Sequence, residues 1–378
     1  MKDLEKNSMP SKAHSIRQSD EQAVMAQTMA PVTTEVHWML PDGEAQSEWV
    51  EFVERVPSPC PYCDPKWLRV ICKGLGHKGA VLLARRDRQI VGVLPLVYMR
   101  HWLFGSHLVS LPFVNSSGVC AVDSEAASAL VDRAVALADE LDVRHLQLRH
   151  ERELSHPRLT DALRTKVHMR LNMPGSQEEL WKVIGSKTRN LVRKGESQGI
   201  SVQWGSRELL DEFYTIFSEN MRDLGTPVFG RRLFAEILTL GESTAELCIA
   251  RLGGAAVAGA LLVHHKGTTE VPSASCLRRF NYTNANMVMY WNLLLKAQSK
   301  GQEHFDFGRS TIDSNTQRFK AQWGAKPSPA IWQYYVRRGA IGDTRPDSSK
   351  FSAAIRTWSW LPVWLTRTIG PAIVKGIP

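Results

Sequence analysis

The chain has 378 residues, 43% of them apolar, which allows two domains with sizeable cores and excludes a disordered or fibrous protein. A formal net charge of +9 suits a partner that carries phosphates, such as tRNA, a nucleotide sugar, a lipid-linked sugar or an anionic membrane surface, and charge alone does not choose among them. No segment offers the roughly 18 consecutive apolar residues that a membrane span requires, and six cysteines without a disulfide framework fit a cytoplasmic location.

Residues 1–34 are polar, rich in Ser, Gln, Lys and Asp, and read as a disordered tail rather than a signal peptide or membrane helix. Ser47 to Val56 has helical spacing and runs into Pro57 and Pro59. Cys60-Pro61-Tyr62-Cys63 copies a redox C-P-Y-C, but that motif works where a strand delivers the first thiol to a helix N-terminus, and the preceding helix and prolines break the context. A zinc site from Cys60, Cys63, Cys72 and His77 lacks a second matching knuckle. The segment reads as a loop leading into a helix near Trp67.

Ala84-Arg85 with Gly92-Val-Leu-Pro-Leu96 recurs as Ala250-Arg251 with Gly259-Ala-Leu-Leu-Val263. Each copy predicts a hairpin, turning at Arg86-Asp-Arg88 in the first and at Gly253-Gly254 in the second. A helical run from Ala126 to Leu141 leads into the strand Val143 to Leu148, as Met287 to Lys300 leads into Glu303 to Phe307. One supersecondary plan repeated roughly 160 residues apart implies a tandem repeat of one α/β domain. The segmentation is a tail at 1–34, a first domain at 35–165, a second at 166–338 and an extension at 339–378.

Between the hairpins, Ser176-Gln-Glu-Glu179 is a capping box that starts a basic helix carrying Lys182, Lys187, Arg189, Arg193 and Lys194. Arg189 and Arg193 share one face at i, i+4 and either hold a polyphosphate or tRNA acceptor stem or form a solvated face. Ahead of the second long helix, Arg278-Arg-Phe-Asn-Tyr-Thr-Asn284 has no glycine with which to admit a pyrophosphate, and the stretch from Val119 to Ser124 in the first domain has none either. Both disfavour CoA as donor, although Arg278 and Arg279 offer phosphate-binding charge.

The stretch His304-Phe-Asp-Phe-Gly-Arg-Ser-Thr-Ile-Asp-Ser-Asn-Thr-Gln-Arg-Phe-Lys-Ala-Gln-Trp-Gly-Ala-Lys326 packs acidic, basic and aromatic side chains around two glycines, as an active-site strand end and loop do. Its D-F-G triplet lacks the glycine-rich loop, strand lysine and H-R-D of a kinase. Strand alternation sets Phe305 and Phe307 on one face and Asp306 on the other. Asp306 is then either an acceptor for loop N–H groups or a residue that orients the acceptor amine or takes its proton. Arg309 and Arg318 are candidates for bidentate phosphate or carboxylate binding. Lys326, before Pro327, reads as a solvated turn.

Phe305-Asp-Phe-Gly-Arg-Ser310, followed by Phe319-Lys320 and Trp323-Gly324, resembles the C-terminal signature of FemAB-like transferases, in particular FemAB-related proteins of PEP-CTERM and exopolysaccharide systems, and the resemblance extends to Ser110-Leu-Pro-Phe113. It implies two fused GNAT-like domains and transfer of an aminoacyl or acyl group to a cell-wall or envelope saccharide precursor. It also puts Phe319 and Lys320 where donor and acceptor meet, and the chemistry agrees: a fixed cation beside the oxyanion of ester aminolysis is worth about 3 kcal/mol. Lys320, Asp306 and Arg309 are the expected catalytic set; Phe319, Arg318, Trp323, Arg189, Arg193 and Tyr290 are the expected substrate-binding set. No tightly bound cofactor or metal is expected, only an activated acyl donor, either aminoacyl-tRNA or acyl-CoA. The long helical insertion of many tRNA-dependent members is absent, which leaves the donor open. An acyl-CoA-dependent N-acyltransferase and a non-catalytic scaffold of the same fold are the alternatives.

Trp358, Trp360 and Trp364 lie among arginines in the C-terminal extension. They suit either a membrane interface, where a lipid-linked acceptor would be met, or a tail folded back over a domain surface.

Overall fold

The computed structural model describes residues 30–39, 43–56, 62–341 and 352–378; the expected polar tail, apart from its last residues, and Cys60 lie outside them. The first half runs β1 (Thr33–Trp38), α1 (Glu44–Arg55), α2 (Pro65–Leu75), β2 (Lys78–Arg86), β3 (Gln89–His101), β4 (Gly105–Val109), β5 (Cys120–Ala121), α3 (Ser124–Glu140), β6 (His145–His150) and β7 (Asp161–Asn172). Two short helices follow, α4 (Gln177–Val183) and α5 (Ser186–Glu196). The second half repeats the plan with β8 (Ile200–Gly205), α6 (Leu210–Asp223), α7 (Arg231–Ile237), β9 (Ala245–Leu252), β10 (Ala255–His265), β11 (Thr268–Cys276), α8 (Ala285–Ser299), β12 (His304–Thr311), α9 (Asn315–Ala321) and β13 (Lys326–Val336). Helices α10 (Ser352–Trp360) and α11 (Val363–Val374) close the chain.

Both expected hairpins form, Ala84 pairing with Gly92 in one and Ala250 with Ala258 in the other. The strands join one sheet in the order β1-β2-β3-β4-β6-β13-β7-β12-β11-β10-β9-β8, which reads as the same unit from either end. Its centre is an exchange. β7, which follows β6, pairs with β12 of the second half, while β13, which follows β12, pairs with β6 of the first. The two exchanged strands pair with each other. The expected boundary at Thr165/Lys166 therefore falls inside β7.

Two expectations change here. Lys326-Pro327 opens β13 rather than a turn. Prolines are tolerated at positions 327 and 329 because β6 joins β13 only from Ile331, so the missing N–H groups deprive no partner strand on that side. The single basic helix is two, broken at Ile184-Gly185, although Ser176 caps the first as expected by accepting the Glu179 amide at 3.2 Å.

One sheet face is covered by α1, α2, α6 and α7, whose residues form a core common to both halves that includes Trp49, Phe52, Trp67, Phe213 and Phe234. Contact there is close: a Cβ on Gly74 of α2 would lie 2.8 Å from Leu233 Cα of α7. On the opposite face α3 and α8 cover separate cores. Phe305 and Phe307 point into the α8 core, so strand alternation turns Asp306 toward the shared face.

Candidate functional site

Strands β11 and β12 run parallel and pair only over Thr268–His304, Thr269–Phe305 and Glu270–Asp306. Glu270 and Asp306 thus sit side by side where the sheet begins to splay. Just beyond, the β12–β7 register shifts between Asp306 and Arg309, and Gly308 takes φ 76°, a left-handed conformation that glycine adopts without strain. A Cβ there would also come within 3.1 Å of Asn115 Nδ2.

The two carboxyl groups occupy opposite electrostatic environments. Asp306, 2% exposed, accepts from Arg170 Nε at 2.8 Å and from the Gly308 amide at 2.7 Å, with His168 Nδ1 at 3.5 Å. Burial alone would raise its pKa, but His168 and Arg170 outweigh burial and hold it at about 2. Arg170 also forks onto Glu151, at 2.6 and 2.5 Å. Glu270 is reached by Tyr62, whose hydroxyl donates to Oε2 at 2.7 Å, and by Asn115 Nδ2, which donates to Oε1. Burial and the charge on Asp306 push Glu270 up to about 7 despite these donors and His168. Adjacent carboxyl groups with pKa values driven apart are the signature of divided acid and base roles.

Lys320, on α9, is 7% exposed and donates from Nζ to the carbonyls of Gly308 and Arg309, at 3.0 and 3.1 Å. Burial lowers its pKa to about 8, Asp306 and Glu270 pulling upward and Arg309 downward. Arg309 lies 3.4 Å and Arg149 4.1 Å from the ring centre of Trp332, so that both guanidinium groups rest against the indole. Burial, then the nearness of Arg309, brings Arg149 down to about 9.

Asp306, Lys320 and Arg309 are therefore brought together. Phe319 lines the aromatic core beneath β12, its ring 5.1 Å from that of Tyr290, and Tyr290 and Trp323 are buried in the same core, on the face away from Asp306. Arg318 is exposed on α9. Arg189 Nη1 donates to the carbonyls of Trp181 and Ile184, at 3.2 and 2.6 Å, closing the C-terminus of α4, and Arg193 lies over the Trp181 ring at 5.3 Å. The cluster also contains groups the sequence reading passed over: Glu270, Tyr62, Asn115, His168 and Arg170. The available signals were a lone acid inside the strand Thr-Thr-Glu-Val-Pro and the tyrosine of the C-P-Y-C loop.

The approach to α8, where an acyl-CoA pyrophosphate would need free backbone amides, is filled from within. Thr283 Oγ1 accepts the Ala285 amide at 3.2 Å, and the Asn284 carbonyl accepts from Met287 and Val288. A Cβ on Gly195 of α5 would fall 3.0 Å from that carbonyl. Arg279 is paired with Glu219. The equivalent helix start in the first half is capped by Asp123, which takes the Ala126 amide at 2.8 Å. These residues do not fit a pyrophosphate cradle.

Residues 185–321 match a protein-family profile described as an acetyltransferase (GNAT) domain. Among solved structures, the chain is similar to FemX, with 16% identity over 80% of this chain and 97% of that one and a TM-score of 0.61. It is also similar to the C-terminal domain of a protein named as a lysylphosphatidylglycerol synthetase from Agrobacterium fabrum (13% identity, 86% and 96% covered, TM-score 0.52) and to L-PGS from Bacillus licheniformis (11%, 87% and 98%, 0.52). No curated protein matches the chain. At these identities the likeness is one of fold, and the fold is a tandem GNAT-type α/β architecture.

Proposed function

We propose that the protein is an acyltransferase that passes an aminoacyl or acyl group from an activated ester to a nucleophile on a cell-envelope or exopolysaccharide precursor, forming an amide or ester. The observation that carries this reading is the buried cluster at the β11–β12 splay, where Glu270 lies beside Asp306 and Lys320 is held on the carbonyls of the adjoining Gly308 and Arg309. Burial and the Asp306 charge raise the Glu270 carboxyl, and burial lowers the Lys320 ammonium, so both groups change charge closer to neutral pH than their free counterparts do. Ionised Glu270 takes the proton of the attacking amine or hydroxyl as the new bond to the acyl carbon forms. Lys320, oriented by two carbonyls, would use its third N–H to stabilise the oxygen on which negative charge develops. When the tetrahedral intermediate collapses, the ester oxygen leaves and the proton held by Glu270 balances it. Asp306 stays charged and anchors Arg170 and His168 rather than exchanging protons. Arg309, half-buried at the edge of this centre, suits a substrate bearing carboxylate or phosphate.

The occupied helix start at α8 favours an oxygen ester, such as that of aminoacyl-tRNA, over acyl-CoA. The acyl-CoA reading rests on the GNAT profile match across the second half. Purified protein incubated with lipid-linked saccharide precursors and either donor separates them by mass spectrometry. An aminoacyl increment that is lost with Glu270→Gln supports the proposal. An acyl increment seen only with acyl-CoA supports the alternative, and no increment with either, from folded protein, leaves a binding module.

A further inference from the structure

Helix α11 is buried along one side by Thr366, Gly370 and Val374, and Gly370 sits so close to the chain at Val228 that a Cβ would meet its amide nitrogen at 2.9 Å. Its end is tied to the first half: His101 Nε2 meets the Ala372 carbonyl at 3.0 Å, and His77 Nε2 meets that of Lys375 at 2.9 Å. The tail therefore does fold back on the protein. Among the described residues, nothing covers the opposite side of the same helix. Trp364 is 68% and Ile369 36% exposed, and Trp360 at the end of α10 is 87% exposed. Where α11 ends, the β3–β4 turn adds Trp102 at 88% and Leu103 at 56%. Indoles are rarely left this open in water, because each holds a large apolar area that burial would remove from solvent.

On the segments that carry these side chains the charge is of one sign, and Asp223, the acid brought near Leu361, is paired with Arg222. Neither 89–122 nor 352–378 contains an aspartate or glutamate, while Arg100, Arg356 and Lys375 are exposed. Asp211, which feels the charge of Arg367, is paired with Arg231. We propose that this face docks the protein on the surface of an anionic lipid bilayer, the indoles at headgroup depth and the cations against lipid phosphates. Among the described residues no helix is long and apolar enough to cross a membrane, so the contact is peripheral. A second copy of the chain is a poorer occupant, since a symmetric contact would set the same cations against each other. The docking is independent of the acyl-transfer chemistry and is measured without turnover.

Co-sedimentation of the full chain with phosphatidylcholine vesicles, with and without about one third phosphatidylglycerol, tests this. The wild type should partition onto the anionic vesicles with a blue shift in tryptophan emission and be released by high salt. The combined Trp102→Ser, Trp360→Ser and Trp364→Ser protein should bind at least ~10-fold more weakly at an unchanged melting temperature. Arg356→Glu with Lys375→Glu, which leaves the indoles intact, should lose the preference for phosphatidylglycerol. A wild type that stays in the supernatant with anionic vesicles overturns the proposal, as do variants that sediment like it. A concentration-dependent dimer abolished by the same tryptophan changes would also overturn it, assigning the face to a second copy.

Discussion

Lys320 follows Phe319 in the sequence as a cation, and in the fold it is buried and held by the carbonyls of the β12 bulge. Lys320→Met keeps most of the stem volume while deleting the charge, so turnover should fall ~100-fold with a much smaller change in KM. Lys326, exposed at the start of β13, is the control, and Lys326→Met should turn over like the wild type. Equal behaviour of the two variants in an acyl-transfer assay would remove Lys320 from the chemistry. At this scale the sequence exposed half of the centre. Asp306, Arg309 and Lys320 lie within fifteen positions of each other and could be read as a group, whereas Glu270 and Tyr62 become neighbours only through strand pairing and the contact between halves. Tyr290 and Trp323 carry the residue types of a binding site but serve an aromatic core, a distinction set by which face of β12 they meet.

Among the elements, the hairpins and the helix–strand units were readable from local pattern, because turns and apolar periodicity are written within a few residues. The exchanged strands were not. Asp161–Asn172 alternates Arg, Lys and His with apolar residues, and Arg170 gains its partner only because β12 brings Asp306 opposite it. The prolines of β13 signal a turn until it is seen that β6 leaves them unpaired on one side. The basic helix divides at Ile184-Gly185, and Arg189 satisfies carbonyls exposed by the break, a use of charge that composition does not distinguish from phosphate binding. β7 gives the element-scale prediction. Arg170→Ala leaves the buried Asp306 charge without its main cation and strands Glu151, so the unfolding midpoint in denaturant should report a loss of about 3–5 kcal/mol. A loss under ~1 kcal/mol, typical of a surface pair, would show that the network is not what holds the exchanged strand.

For the whole molecule, the two halves are not separate machines. The candidate centre belongs to the second, but Tyr62 and Asn115 of the first complete it, and the shared core of α1, α2, α6 and α7 keeps them in reach. That arrangement makes the charge state of Glu270 a property of the assembled pair of halves. The pH dependence follows by sign. A carboxyl raised from 4.5 to about 7 on folding stabilises the native state while protonated, and that contribution is lost as pH rises through 7. A carboxyl-detected NMR titration of isotope-labelled protein addresses this directly and requires no substrate. The account predicts one glutamate titrating near 7, absent from Glu270→Gln and moved upward in Tyr62→Phe, which lacks the hydroxyl that favours the charged form, with Asp306 titrating near 2. A spectrum in which every glutamate titrates near its ordinary value of about 4.3, or in which the high-pKa signal survives Glu270→Gln, would contradict it.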